Sequence, residues 1–186
     1  MHPLAETLLN EPVIAAVKTD EALTAALASP CSAVFLLAST LLNVGELVRR
    51  IHAAGKLAVV HIDLVDGLSS REIAVDSLNA LCRPDGIIST RQSFIRRAKE
   101  LGLAAILRVF LLDSIALESL DKIPASLPDC LDLLPGAMPK ILRRVCAKAK
   151  VPVLTGGLIA DKEDVMAALE AGATAISTTN QAVWDM

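Results

Sequence analysis

Two late apolar runs end in residues that could together hold an anion. Val151–Thr155 leads into Gly156 and Gly157, and Ala175–Thr179 brings Ser177, Thr178, Thr179 and then Asn180. Glycines straight after a strand leave backbone N–H groups open to close approach, and small hydroxyls beside them add donors. Neighbouring strand ends of this kind form the phosphate site after the last two strands of a parallel barrel. A glycine pair by itself is equally a tight turn, so the rest of the chain has to decide.

Other polar residues recur where apolar runs end. Lys18 follows Val13–Val17, His61 and Asp63 close Leu57–Asp63, and Ser89-Thr90 closes Gly86–Ser89. Arg108 sits between Leu107 and Val109, Asp132 lies inside Cys130–Leu134, and Gly136 follows in Leu134-Pro135-Gly136. Strand alternation would put His61 and Asp63 on one face. A charge inside an apolar strand is costly unless paired or solvated. One arrangement is a structural ion pair between Arg108 and an aspartate across the barrel. The other has Lys18 and Arg108 facing an anion while His61, Asp63 and Asp132 meet hydroxyl groups, which suits a small polyol phosphate. No G-x-S-x-G elbow, H-E-x-x-H pair or P-loop occurs, yet barrel enzymes draw carboxylates and lysines from scattered strand ends. An enzyme acting on a small phosphate ester, of prenyl-transferase or sugar-phosphate isomerase type, is therefore the alternative reading.

These residues need a frame. Strands are expected at Val13–Val17, Ala33–Leu37, Leu57–Asp63, Gly86–Ser89, Ala104–Phe110, Cys130–Leu134, Val151–Thr155 and Ala175–Thr179. Their starts lie roughly 18–29 residues apart, a regular βα spacing. Helices are expected over Asp20–Ala28, Val44–Ala54, Ser70–Leu81, Gln92–Leu101, Ser114–Ile123, Pro139–Lys148 and Lys162–Ala171. Asn43, Asp113 and Asp161 read as N-caps, Ser69-Ser70-Arg71-Glu72 as a capping box, and Gly55, Gly102 and Gly172 as helix stops. Eight βα units with no linker predict a single-domain α/β protein over residues 1–186, a compact (β/α)₈ TIM-type barrel. A flavodoxin-like open sheet is the lesser option. At 186 residues the chain is short for such a barrel, so some element, the last helix first, should be abbreviated.

The composition fits this frame. A mean hydropathy of +0.53 comes from alanine-rich helices over strands buried on both faces, because no apolar run approaches the ~20 residues of a membrane span. The start of the chain has no basic segment followed by an apolar one, so a cytoplasmic protein is expected. Cys31, Cys82, Cys130 and Cys146 form no CxxC pair, so reduced buried thiols are expected and no metal site. A net charge of −3 and 2% aromatics do not advertise nucleic-acid binding.

The chain resembles the glycerol-3-phosphate responsive antiterminators. The resemblance runs through PVIAAVK (Pro12–Lys18), VHIDLVDGLSSREIAVD (Val60–Asp76), DGIIST (Asp85–Thr90) and RAKELGL (Arg97–Leu103). It continues through FLLDS (Phe110–Ser114), LPGAMPK (Leu134–Lys140), GGLI (Gly156–Ile159) and STTNQAVW (Ser177–Trp184). It implies a barrel that binds glycerol 3-phosphate as effector, needs no cofactor, and binds leader mRNA so that transcription passes a terminator. By that resemblance Gly156, Gly157, Ser177, Thr178, Thr179 and Asn180 would hold the phosphate. Lys18, His61, Asp63, Arg108 and the Leu134-Pro135-Gly136 segment would line the remaining pocket, to which the strand-end reading adds Ser89 and Asp132. Asp66 and Asp132 stand where the family is expected to carry glutamate, one methylene longer.

The strongest basic cluster is Met138–Lys150, where Lys140, Arg143, Arg144 and Lys148 fall on one helical face opposite Ile141, Leu142, Val145 and Cys146. A second group is Arg91, Arg96, Arg97 and Lys99. Solvated outer helix faces show the same pattern, and only the resemblance turns the first cluster into an expected RNA surface. The loops Leu64–Ser70 and Thr178–Trp184 are the expected movers, and a homo-oligomer is compatible with the reading.

Overall fold

The computed structural model describes residues 3–185. Eight parallel strands close into a barrel: β1 (Val13–Val17), β2 (Ala33–Leu36), β3 (Leu57–His61), β4 (Gly86–Ser89), β5 (Ala104–Phe110), β6 (Cys130–Leu134), β7 (Val153–Gly156) and β8 (Ala175–Thr178). Neighbours follow chain order, and β8 returns to β1 by pairing Ile176 with Val13 and Ser177 with Ile14. Closure removes the open-sheet option. Outside lie α2 (Asp20–Ala28), α3 (Val44–Ala53), α4 (Ile73–Cys82), α5 (Gln92–Glu100), α6 (Ser114–Ser119), α7 (Pro139–Cys146) and α8 (Lys162–Glu170), after an opening α1 (Pro3–Asn10). A 3₁₀ turn, Gln181–Val183, stands where a full helix would follow β8, which is the expected abbreviation.

The strand register stacks the inward side chains in four layers of four. The lowest holds Ala33, Gly86, Cys130 and Ala175, too small to fill the barrel. Leu4 and Leu8, one turn apart on α1, are buried in this inner core and occupy that end. Each such burial contributes about 1.5–3 kcal/mol. The sequence reading assigned no element to Pro3–Asn10. Above come Ile14, Val59, Ile106 and Leu154, which fill the waist, and then Phe35, Ile88, Asp132 and Ser177. The uppermost layer is Ala16, His61, Arg108 and Gly156. Outward residues such as Val34, Val60, Ile87, Leu107 and Ile176 form a second, larger core against the helices.

Several local expectations are corrected. Strand β3 ends at His61 and the chain turns into a 3₁₀ segment, Ile62–Leu64, so alternation no longer relates Asp63 to His61. The capping box does not form, because α4 begins only at Ile73 while Ser69 accepts the N–H of Arg71. Asn43 accepts from the N–H of Thr40 rather than capping α3. Asp113 and Asp161 do cap, accepting from Ala116 and Asp164. Helix α7 stops at Cys146, leaving Lys148 beyond it. All four cysteines are free; Cys31 and Cys130 are buried, Cys82 and Cys146 half-buried. Burial pushes the Cys82 thiol up to about 11 and the Cys130 thiol up to about 12.

Candidate functional site

The carboxyl ends of β7 and β8 are held side by side. Thr178 donates its hydroxyl to the carbonyl of Ile159 at 3.1 Å, and the Asn180 amide donates to the carbonyl of Ala160. Gly136 donates its N–H to the carbonyls of Gly156 and Gly157, at 2.6 and 2.9 Å, and so joins the β6 loop to the same corner. Trp184 is buried beneath, its indole N–H donating to the carbonyl of Thr178 at 2.9 Å. Thr178, Asn180 and Gly136 therefore build the corner with the atoms that the sequence reading reserved for an anion. Thr178 points outward from the barrel wall, as alternation from inward Ser177 requires.

What the corner offers is backbone. Gly157 and Leu158 both have positive φ, 72° and 60°, so the backbone turns sharply as it leaves β7. Among the described residues, the N–H groups of Gly157, Leu158 and Thr179 have no acceptor. The N-terminus of α8 is not part of this set, since Asp161 and Asp164 already accept there. Gly156 must be glycine because a Cβ would collide with the Ser177 hydroxyl and stand 2.8 Å from its carbonyl oxygen. Leu158 was not foreseen as a site residue, and a leucine at positive φ leaves no sequence signature.

Beneath the corner lies a buried polar cluster. Arg108 donates its Nε–H to one oxygen of Asp132 at 2.8 Å, and its Nη2 lies 2.7 Å from the same oxygen in an ion pair. The expected cross-barrel ion pair therefore exists, between adjacent strands in register. Among the described residues, the other oxygen, Asp132 Oδ1, has no hydrogen-bond partner, and neither does His61 Nδ1. Both residues are almost wholly buried, where an unpaired polar atom is expensive. The Ser177 hydroxyl is also without a partner among the described residues. Burial pushes the Asp132 carboxyl above the usual carboxylate range, and Arg108 opposes that shift.

Burial, followed by the Arg108 charge, lowers His61 from 6.5 to about 4, with Asp63 pulling the other way. The ring is neutral at pH 7. A difference of that size between folded and unfolded chains corresponds to about 3 kcal/mol. The sign is that of a depressed group: the stability is present above 6.5 and lost as pH falls through 4. Urea titrations between pH 7 and 4 are expected to show this loss, and His61→Gln should flatten it.

The remaining sequence-predicted residues divide. Lys18 is exposed just past β1. Asp63 accepts from the Ser89 hydroxyl at 2.9 Å and from the N–H and hydroxyl of Thr90 at 2.7 and 3.1 Å. Ser89 accepts in turn from the N–H of Arg91, so Asp63 and Ser89 shape the loop after β4. Lys140, Arg143, Arg144 and Lys148 are all exposed, with Leu142 and Val145 buried behind them. Leu64, Phe110, Leu112 and Leu158 expose apolar surface at the strand ends around the mouth. The outer flank carries a cleft of about 390 Å³ between the segment after α6 and the end of α7, away from the mouth. No group of side chains able to hold a metal occurs among the described residues, nor any helix long and apolar enough to cross a membrane.

Comparison with known proteins places this geometry in context. The model of the family described as glycerol-3-phosphate responsive antiterminator matches residues 13–184. The uncharacterized protein YgcP of Escherichia coli (strain K12) is 40% identical over 185 residues, covering 99% of this chain and 97% of YgcP. The crystal structure of the glycerol uptake operon antiterminator regulatory protein from Listeria monocytogenes is 34% identical with a TM-score of 0.89, covering 94% of this chain and 95% of that one. The glycerol uptake operon antiterminator-related protein from Thermotoga maritima is 31% identical, with a TM-score of 0.82 over 94% of this chain and 98% of that one. An aldolase, QR15, shares the fold at 15% identity and a TM-score of 0.71.

Proposed function

Because this chain belongs to the glycerol-3-phosphate responsive antiterminator family, we propose that it is a cytoplasmic regulator that binds glycerol 3-phosphate in the barrel mouth and leader mRNA on its surface. The observation that carries the ligand half is the trio of free N–H groups at Gly157, Leu158 and Thr179 above a buried cluster with unpaired polar atoms. The phosphate takes the N–H groups, and Lys18 adds charge at the rim. The glycerol hydroxyls descend toward Arg108, Asp132, His61 and Ser177. No resident cofactor takes part.

For the RNA half, the exposed side chains of Lys140, Arg143, Arg144 and Lys148 supply phosphate contacts, and the scarcity of aromatics makes shape and charge the basis of recognition. Coupling requires the ligand to favour the RNA-competent form by differential affinity. Residues Thr178–Trp184 connect the anion corner to Trp184, whose carbonyl accepts from Cys31 at 3.6 Å. A ligand ordering this segment therefore acts on the packing between β8 and the chain before β2. Self-association into a homo-oligomer is compatible with this arrangement.

The test is RNA affinity for a leader transcript with and without glycerol 3-phosphate. Tighter binding with the ligand is expected, and equal affinities would rule out the coupling. Changing Lys140, Arg143 and Arg144 together to Ala should reduce the salt slope by about 2, at ~0.7 per single-strand phosphate contact. A second reading, an enzyme joining an apolar chain to a small phosphate, draws on the exposed Leu64, Phe110, Leu112 and Leu158 around the mouth. Turnover that depends on Asp132 would establish it.

A further inference from the structure

We propose that the floor of the mouth reads the oxidation state of its ligand, accepting a polyol phosphate and rejecting the keto phosphate formed by oxidation of its secondary hydroxyl, with Asp132 and His61 as the specificity-determining residues. This rests on the reading of the mouth as a polyol-phosphate pocket and goes one step into its chemistry.

Two buried polar atoms in the floor lack partners among the described residues. Asp132 Oδ2 accepts from Arg108 Nε and lies against Nη2, and Oδ1 is left with no donor among the described residues. His61, one layer higher, leaves Nδ1 unpaired. That upper layer also holds Ala16, Gly156 and Arg108, so two of its four positions carry almost no side chain beside these polar atoms. A carboxylate oxygen accepts and cannot donate, whereas a neutral imidazole nitrogen accepts or donates according to its tautomer. The secondary hydroxyl of a polyol phosphate, the one a ketone lacks, satisfies both atoms at once, donating to Asp132 Oδ1 and using its remaining capacity toward His61. A carbonyl oxygen has no proton to give. It leaves Asp132 Oδ1 unpaired and sets lone pairs against lone pairs at that atom.

Sites built around a ligand hydroxyl reject analogues lacking it far more strongly than apolar pockets reject a missing methylene. A loss of at least about 30-fold is expected between the alcohol and the ketone, the upper part of the range for leaving one buried acceptor unpaired. A regulator with such a floor responds to the alcohol and ignores the product of its two-electron oxidation, although both carry the same phosphate.

The experiment is calorimetric titration of the full chain with glycerol 3-phosphate, dihydroxyacetone phosphate and inorganic phosphate. Glycerol 3-phosphate should bind at least about 30-fold more tightly than dihydroxyacetone phosphate, which should bind no better than inorganic phosphate plus its apolar contacts. Asp132→Asn sharpens the test. Its carbonyl oxygen should keep facing Arg108, placing an NH₂ donor where Oδ1 was, so the preference should shift toward the ketone. Should Asp132→Asn fail to fold, the wild-type ratio decides alone. If the two three-carbon phosphates bind with equal affinity, the pocket reading survives and this inference is overturned. If neither binds, the pocket reading fails and the inference with it.

Discussion

Replacing Arg108 with methionine is expected to destabilise the barrel by about 3–5 kcal/mol at neutral pH, because it strands a buried carboxylate. Asp132 is fully buried and has no partner other than Arg108. Methionine keeps much of the side-chain volume, so the loss reports charge rather than a cavity. The pH dependence gives a second signature. Burial already holds the Asp132 carboxyl above its ordinary value of 3.8, and removing Arg108 takes away the charge that opposes the shift. A carboxyl raised in the folded state favours folding below its unfolded value, and that contribution disappears as pH rises through the folded one. The variant should therefore be nearer to wild type at pH 5 than at pH 7.5 in urea unfolding. Changing both residues, Arg108→Met with Asp132→Leu, should recover much of the loss, since apolar replacement of a buried pair is often neutral. A single variant within about 0.5 kcal/mol of wild type at pH 7.5, the scatter of ordinary surface changes, would show that the pair is solvated.

Gly157→Asp is the complementary substitution, expected to abolish effector binding while leaving the fold standing. At φ +72° the position favours glycine, and a Cβ there meets Leu134 at 3.5 Å and the Pro135 Cα at 3.9 Å, both ordinary contacts, so a side chain fits at a backbone cost of about 1–2 kcal/mol. Its carboxylate would stand beside the N–H groups proposed for the phosphate. At about 100 times its dissociation constant, glycerol 3-phosphate should stabilise the wild type by about 2.7 kcal/mol, a melting shift of roughly 5–10 °C. Gly157→Asp should show no shift, a loss of affinity above ~100-fold. Gly157→Ala meets the same backbone cost without the charge and should retain most of the shift. A full shift in Gly157→Asp would place the phosphate elsewhere.

Together these substitutions separate the two parts of the mouth. Arg108 and Asp132 form its floor and belong to the core, so their loss is read first in stability. Gly157 belongs to the rim, so its loss is read in affinity. The double role of the floor explains why a polar cluster is tolerated inside a barrel whose waist is Ile14, Val59, Ile106 and Leu154. Paired, it costs little, and a ligand hydroxyl would satisfy what Arg108 leaves open.

Periodicity made the barrel legible. Every barrel strand was foreseen within two residues of its ends, because β-branched runs buried on both faces are unbroken and three of the helices between them stop at glycines with positive φ, Gly55, Gly102 and Gly172; the short strands Ser39–Thr40 and Val65–Asp66 outside the barrel were not foreseen. The same runs exposed Arg108, Asp132 and His61 as polar residues in apolar surroundings, which is a local property of the chain. Motifs quoted for the family likewise lie along the sequence and need no folding to be read.

What only the tertiary structure decided is which atoms are already used. Asp63 and Ser89 looked like ligand residues until the 3₁₀ turn after His61 brought the carboxylate onto Thr90. Thr178 and Asn180 looked like anion donors until their side chains met the carbonyls of Ile159 and Ala160. The hydrogen-bond partner of a side chain depends on where distant segments come to lie, and residue type carries no record of that. The burial of Leu4 and Leu8 under a layer of alanine, glycine and cysteine has the same origin. Composition and order determined the barrel and its polar positions, whereas the free N–H groups and the unpaired atoms of His61 and Asp132 exist only as what remains once every other contact is made.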